Sequence, residues 1–188
     1  FFLYKNSNQN TSLPHMLPSK KEWENIVSNF GIDNSDHIVI YDNSDVFSSC
    51  RVWYTFLYFG HNPDFVSVLN GNFDKWKNEK RSISKQTKKI NKSNYTASEN
   101  SQLVLHKDQV NKNIISNRFQ LIDARDEQRF LGLQPEPRKE LKSGNIKGSK
   151  NLPFQELVNI KEGRTFKKKK ELIKIFKEKQ ILVDQEMA

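Results

Sequence analysis

A single cysteine, Cys50, occurs in the 188 residues. One thiol cannot close an internal disulfide, and it fits a reducing compartment, so the expected location is cytoplasmic. No apolar run approaches the roughly 20 residues that a membrane helix needs. The opening FFLYKNSNQN has neither a basic n-region nor an adequate apolar core for a secretory signal. No membrane partner is therefore expected. Hydrophobic residues are scarce as well, at 35 %, and mean hydropathy is −0.79. What is present is aromatic: 13 Phe and 3 Trp supply the material for cores. A chain of this length allows one large or two small domains.

The net charge of +9 is unevenly placed. Residues 1–80 carry 7 Lys and Arg against 9 Asp and Glu, and residues 81–188 carry the other 24 against 13. A basic half opens the possibility of nucleic acid or an anionic membrane. No nucleic-acid fold motif accompanies it, and the plainer reading is compositional drift toward Lys, Asn and Ile. The four-lysine run Lys167–Lys170 opens a basic amphipathic helix, Lys167 to Lys179, with Leu172, Ile173 and Phe176 on one face. It reads as a solvated helix face.

Taken in order, residues 1–14 are polar and irregular. Pro18 to Gly31 reads as a helix, with Ser19 and Glu22 as a capping box and Trp23, Ile26, Val27 and Phe30 as its apolar stripe. His37 to Asp42 is expected as a buried strand, and Val46 to Phe59 as a helix carrying Val52, Trp53, Phe56 and Leu57. Phe65 to Leu69 is the next strand, and Asn70-Gly71 turns it into a short helix containing Trp76. Residues 77–101 are polar, rich in Lys, Ser and Asn, and lack apolar periodicity, which reads as a linker. A second unit begins at Leu103-Val104-Leu105, with a short helix over Asp108 to Ile115, a strand at 119–122 and a helical turn over Phe154 to Val158. This alternation predicts an α/β protein with parallel sheets flanked by helices. The expected division is 1–80, a linker at 81–102, and 103–188.

Residues 121–154, LIDARDEQRFLGLQPEPRKELKSGNIKGSKNLPF, stand out. An apolar strand ends at Asp123 and breaks into a loop holding Arg125, Arg129 and Arg138, with Pro135 and Pro137 excluding helix or central strand. Three guanidinium groups in one ordered loop suit an anion site, because their forks match carboxylates and sulfur oxyanions.

These residues also carry a family likeness. DAR…RF-x-G-x-x-PEPR…SG-x-I-x-G-x-x-NLPF, Asp123 to Phe154, resembles the second domain of the tandem-rhodanese sulfurtransferases, the thiosulfate and 3-mercaptopyruvate enzymes. His15-Met16-Leu17-Pro18, Arg51-Val52-Trp53, Gly60-His61 and Ser67-Val68-Leu69-Asn70-Gly71 resemble the first domain. Order and spacing agree from about residue 5 to about residue 179. The resemblance implies two rhodanese-like α/β domains, both incomplete, since the family's opening strands would precede Phe1 and its nucleophile loop would follow Lys179. Truncation at both ends is the expectation.

The chemistry so implied is sulfur transfer. A cysteine thiolate takes sulfur from a small anionic donor, becomes a persulfide, and passes the sulfur to cyanide or to a thiol acceptor such as thioredoxin or glutathione. In the family the nucleophile loop reads approximately CGSGVTA, at a strand–helix junction where backbone N–H groups and the helix dipole lower the thiol's pKa. That loop is absent from this sequence. Cys50 lies in SSCRVWY, expected well inside the Val46–Phe59 helix, where a buried thiol is a small hydrophobe. In this inert first domain the nucleophile's slot falls near Asp42, and a carboxylate cannot carry a persulfide.

Residue by residue, Arg129 matches a donor-binding arginine of the family, and Arg138 matches the arginine associated with mercaptopyruvate carboxylate. The alternative for both is an ordinary surface arginine pair. His15 matches an interface histidine, but its carboxylate partner's position is held by Tyr4, so His15 is a vestigial relay or a satisfied interface residue. No metal or cofactor is implied. Three functions stand open: a sulfurtransferase homologue inactive alone for want of its nucleophile; a binding module or split-enzyme half that keeps the anion loop; and, least favoured, a basic nucleic-acid binder.

Overall fold

The computed structural model describes residues 16–86, 89–138, 141–184 and 187. Among them the helices are α1 (Lys20–Asn29), α2 (Ser48–Tyr58), α3 (Asn72–Asn78), α4 (Lys107–Ser116), α5 (Glu127–Phe130) and α6 (Lys169–Glu178). The strands are β1 (Ile38–Ile40), β2 (Val66–Val68), β3 (Ile122–Asp123), β4 (Lys150–Asn151), β5 (Val158–Asn159) and β6 (Thr165–Phe166). The chain divides into two compact units, Phe1–Val104 and Leu105–Ala188.

In the first unit the capping box forms as the sequence predicts. Glu22 accepts from the Ser19 amide at 2.7 Å, and Ser19 Oγ accepts from the Glu22 amide at 3.4 Å. Trp23 and Val27 from the α1 stripe are fully buried against Phe56 and Phe59 of the next helix. Trp23 stacks on Phe59 with centroids 5.1 Å apart and meets Phe56 edge-on at 5.0 Å. Phe30, expected in the same stripe, is instead exposed at the C-cap, and Ser28 takes the buried position. β1 and β2 pair in parallel, Ile38 opposite Val66 through Ile40 opposite Val68. β1 is not the fully buried strand expected: Val39 and Tyr41 are exposed, while Ile38 and Ile40 pack on the core.

The polar stretch expected as a linker is fastened along residues 93–100. Ser93 donates its amide to Ser28 O at 3.0 Å, Tyr95 its amide to Ser28 Oγ at 3.0 Å, and Ser98 its amide to Phe59 O at 3.0 Å. Tyr95 and Ala97 are buried, and Tyr95 stacks on His61. Burial pushes the Tyr95 phenol up to about 12. Gly60 is needed beneath this strap. Its φ is +77°, and a Cβ there would stand 2.7 Å from Ser98 O.

The second unit is built on a shorter strand than 119–122. Phe119 is pinned before β3 by Asn113, whose amide donates to Phe119 O at 2.7 Å and accepts from the Phe119 amide at 3.0 Å. β3 pairs in parallel with β4, Ile122 opposite Lys150 and Asp123 opposite Asn151. The pairing runs on past the strand ends, with Lys150 N–H to Leu121 O at 2.8 Å and Phe154 N–H to Ala124 O at 3.1 Å. Phe154–Leu157 is the expected helical turn, in 3₁₀ form. An unexpected antiparallel pair, β5 with β6, follows it. On α6 the half-buried face is Leu172, Ile175 and Phe176, at helical spacing. Ile173, assigned to that face from the sequence, is exposed, and Lys168–Lys170 are exposed as expected.

Candidate functional site

Two places in the chain hold the residues that the sequence singles out, one in each unit. In the first, β1 runs out at Ile40 and the chain reaches α2 eight residues later. Phe47, in left-handed conformation at φ 51°, delays the helix until Ser48. Cys50 is therefore the third residue of α2, in its first turn, and not well inside a helix begun at Val46. The start of that turn is already occupied. Asp42 Oδ2 accepts from the Ser49 amide at 2.7 Å and from Ser48 Oγ at 3.1 Å. A carboxylate thus takes the place at a helix N-terminus where an anionic sulfur would be stabilised. The Cys50 thiol is pushed up, first by burial and then by the negative charge of Asp42, which together outweigh the smaller lowering from hydrogen bonds with Ser49 and its own backbone.

The second place is the arginine loop. Asp126 caps α5, its carboxylate accepting from the Arg129 amide at 3.0 Å, so Arg129 is fixed one turn beyond the end of β3. Asn151 on β4 ties the loop's start, donating to Asp123 O at 3.0 Å and to Arg125 O at 2.9 Å. The loop folds back on itself at Gly144, in left-handed conformation at φ +100°, and a Cβ on Gly132 would meet Gly144 N at 3.2 Å.

The three arginines are not equivalent. Arg125 is wholly engaged: Nε reaches Asp123 Oδ1 at 3.0 Å, Nη2 reaches Asp123 Oδ2 at 2.5 Å and Gly144 O at 2.8 Å, and Nη1 reaches Glu136 Oε1 at 2.6 Å. Its role is to hold the loop together, and the expectation that all three guanidinium groups are available to an anion does not hold for it. Arg129 shares the same carboxylate, Nη2 to Glu136 Oε2 at 2.5 Å and Nε to Oε1 at 3.4 Å. Among the described residues no group accepts from its Nη1. Arg138 is exposed. Glu136, between the two prolines, is the residue the sequence did not single out, although its side chain is only 2 % exposed.

The ionisation follows from these contacts. The Arg129 guanidinium holds the Glu136 carboxyl below its usual range, and Arg125 does the same for Asp123. Asp123 and Glu136 in turn keep Arg125 protonated, with Asp123 the larger influence. Asp123, Glu136, Arg125 and Arg129 together carry no net charge, two cations against two anions. His15 and Tyr4 lie outside the described residues. Among the described residues no cluster of His, Cys, Asp and Glu could hold a metal, and no helix is long and apolar enough to cross a membrane.

Residues 5–79 match the rhodanese-like domain. The chain is 39 % identical to mouse thiosulfate sulfurtransferase over 182 residues, 94 % of this chain and 60 % of that protein. It is 35 % identical to mouse 3-mercaptopyruvate sulfurtransferase over 177 residues, 93 % of this chain and 58 % of that protein. The chain thus spans about 60 % of the length of these curated relatives. Among solved structures, the 3-mercaptopyruvate sulfurtransferase SseA of Escherichia coli superposes with a TM-score of 0.86 at 28 % identity, over 100 % of this chain and 68 % of that one. Tum1 of Saccharomyces cerevisiae superposes at 0.83 with 29 % identity, over 98 % and 64 %. The α/β fold, the match over residues 5–79 and the likeness along nearly the whole chain agree: residues 5–79 match a rhodanese-like domain, and the chain is similar over more than nine-tenths of its length to thiosulfate and 3-mercaptopyruvate sulfurtransferases.

Proposed function

We propose that the protein takes part in moving sulfane sulfur from a small anionic donor, thiosulfate or 3-mercaptopyruvate, to a thiol or cyanide acceptor. The observation that carries this reading is the 39 % identity to a thiosulfate sulfurtransferase across 94 % of the chain. The donor's anionic end would be received by Arg129, through its open Nη1, and by Arg138. Arg138 favours a donor that bears a carboxylate, because it matches the arginine that the family resemblance associates with the mercaptopyruvate carboxylate. Thioredoxin or glutathione would serve as acceptor, consistent with a cytoplasmic setting for a chain with one cysteine.

Residues 1–188 are proposed to be inactive alone. Covalent catalysis needs a thiolate, and Cys50, the sole cysteine, is held as a thiol by burial and by Asp42. The nucleophile would come from a CGSG-type loop outside these residues. The test is complementation. A polypeptide carrying that loop is added to the chain, and sulfur release is followed with each donor. Activity is expected only in the mixture, and Arg138→Ala is expected to weaken 3-mercaptopyruvate use more than thiosulfate use. Equal losses with both donors would remove the assigned role of Arg138.

A further inference from the structure

We propose that Glu136 is the positioning residue of donor recognition: its buried carboxylate clamps one edge of Arg129 and leaves the other edge open for the donor. This deepens the reading above and rests on Arg129 receiving the donor. A guanidinium presents two distinct hydrogen-bonding edges, the Nε/Nη2 side and the Nη1/Nη2 end. Glu136 takes the first, from Nε at 3.4 Å and Nη2 at 2.5 Å. The Arg129 side chain therefore cannot turn about its long axis without breaking two charge-assisted bonds, and Nη1 keeps one direction.

Three features make Glu136 suited to the task. Its side chain is only 2 % exposed, so water competes little for its oxygens. Its own orientation is fixed from the other side by Arg125 Nη1 at 2.6 Å, and Arg125 is in turn locked by Asp123 and the Gly144 carbonyl. Pro135 and Pro137 restrict the backbone on both sides of it. The chain of contacts runs from the end of β3 through Asp123, Arg125 and Glu136 to Arg129. The clamp also sets the charge: with Glu136 ionised, Arg129 offers direction and little excess field, which favours a donor whose geometry fits over any anion.

The experiment uses the ¹⁵N-labelled 188-residue chain with thiosulfate as probe. Binding is followed by titration calorimetry and by the arginine Nε–H signals, with Arg129→Ala assigning the relevant signal. In the wild type thiosulfate binds and shifts the Arg129 signals. Glu136→Gln keeps the size and removes the charge. It is expected to preserve the β3 and β4 amide signals, to broaden or move the Arg129 Nε–H signal before any anion is added, and to weaken thiosulfate about tenfold, the effect of losing one charge-assisted bond. A purely structural role would lower the melting temperature and leave the Arg129 signal and the affinity of the folded fraction unchanged. Unchanged or tighter binding by Glu136→Gln overturns the proposal alone. Failure of the wild type to bind thiosulfate removes the donor reading and this proposal with it. Should Glu136→Gln not fold, Glu136→Asp, which keeps the charge and shortens the reach, is read in the same way.

Discussion

In the first unit Trp23, Val27, Phe56 and Phe59 are sealed from solvent, with Trp23 packed ring against ring on Phe56 and Phe59, while the second unit is fastened by side-chain amides and ion pairs. Asn113 holds both backbone groups of Phe119, and Gln120 bonds the amide and carbonyl of Leu182 at 2.9 Å and 2.8 Å. Among the described residues of the second unit the buried Phe119, Leu152, Val158 and Ile181 are supplemented by Asn151, Asp123 and the arginines. The two sites follow the same division. Asp42 accepts from the helix N-terminus in the first unit, whereas Glu136 and Asp123 bond the guanidinium groups in the second and leave one edge of Arg129 open. Packing fixes a scaffold; directed polar contacts fix the orientation of a guanidinium group.

That comparison breaks most visibly at Trp23. Trp23→Ala removes the centre of the first core and is expected to cost about 3–5 kcal/mol. Hydrogen exchange should show the α1 and α2 amides losing protection while the Phe119 and Leu182 amides keep theirs. Loss of protection in both units together would mean they do not differ as described.

A polar contact is the corresponding target in the second unit. Asn113→Leu keeps the volume and leaves the buried N–H and C=O of Phe119 without their partner, at a cost of about 1–3 kcal/mol. Urea unfolding monitored by exchange at β3 and β4 checks it. A loss below a few tenths of a kcal/mol would show that water replaces the amide at no cost.

Asp42→Ala probes the polar contact of the first unit. Loss of the α2 cap is expected to cost about 1 kcal/mol. Cys50 should also become more acidic, because the repulsive charge beside it is gone while burial remains. Alkylation by iodoacetamide across pH 7 to 10 reads the change; an unaltered profile would leave burial as the only cause.

The smallest effect is the acid response of the arginine loop. Asp123 and Glu136 have folded pKa values depressed below the ordinary 3.8 and 4.5. Their contribution is therefore fully present above pH 4.5 and is lost as pH falls through the folded values. The difference in melting temperature between the wild type and Glu136→Gln should shrink as pH is lowered from 5 to 3. A difference that stays constant over that range would mean the ion pair does not stabilise the loop.

The aromatic core was legible in the sequence because Trp23, Val27, Val52 and Phe56 recur at helical spacing, and the parallel sheets because strand and helix patterns alternate. The capping box was readable from two residues. What could not be read is contact made across the chain. Tyr95 and Ala97 sit in a polar stretch without periodicity, and their burial comes from backbone bonds to Ser28 and Phe59. In the arginine loop the residue types suggested an anion site, but which guanidinium is engaged depends on where Pro135 and Pro137 bring Glu136. Glu136 of the PEPR motif, which the sequence reading does not single out, accepts from both Arg125 and Arg129. Cys50 was misplaced within its helix because a left-handed Phe47 moves the helix start by two residues from the expected Val46, which no propensity signals.

The central claim is that the sulfur-accepting thiolate is not Cys50. The most direct measurement is sulfur transfer by the purified 188-residue chain, from thiosulfate to cyanide and from 3-mercaptopyruvate to a thiol, beside the Cys50→Ser variant. The expected result is no turnover above the uncatalysed rate in either protein. Turnover by the wild type that disappears in Cys50→Ser would contradict the account and make Cys50 the nucleophile.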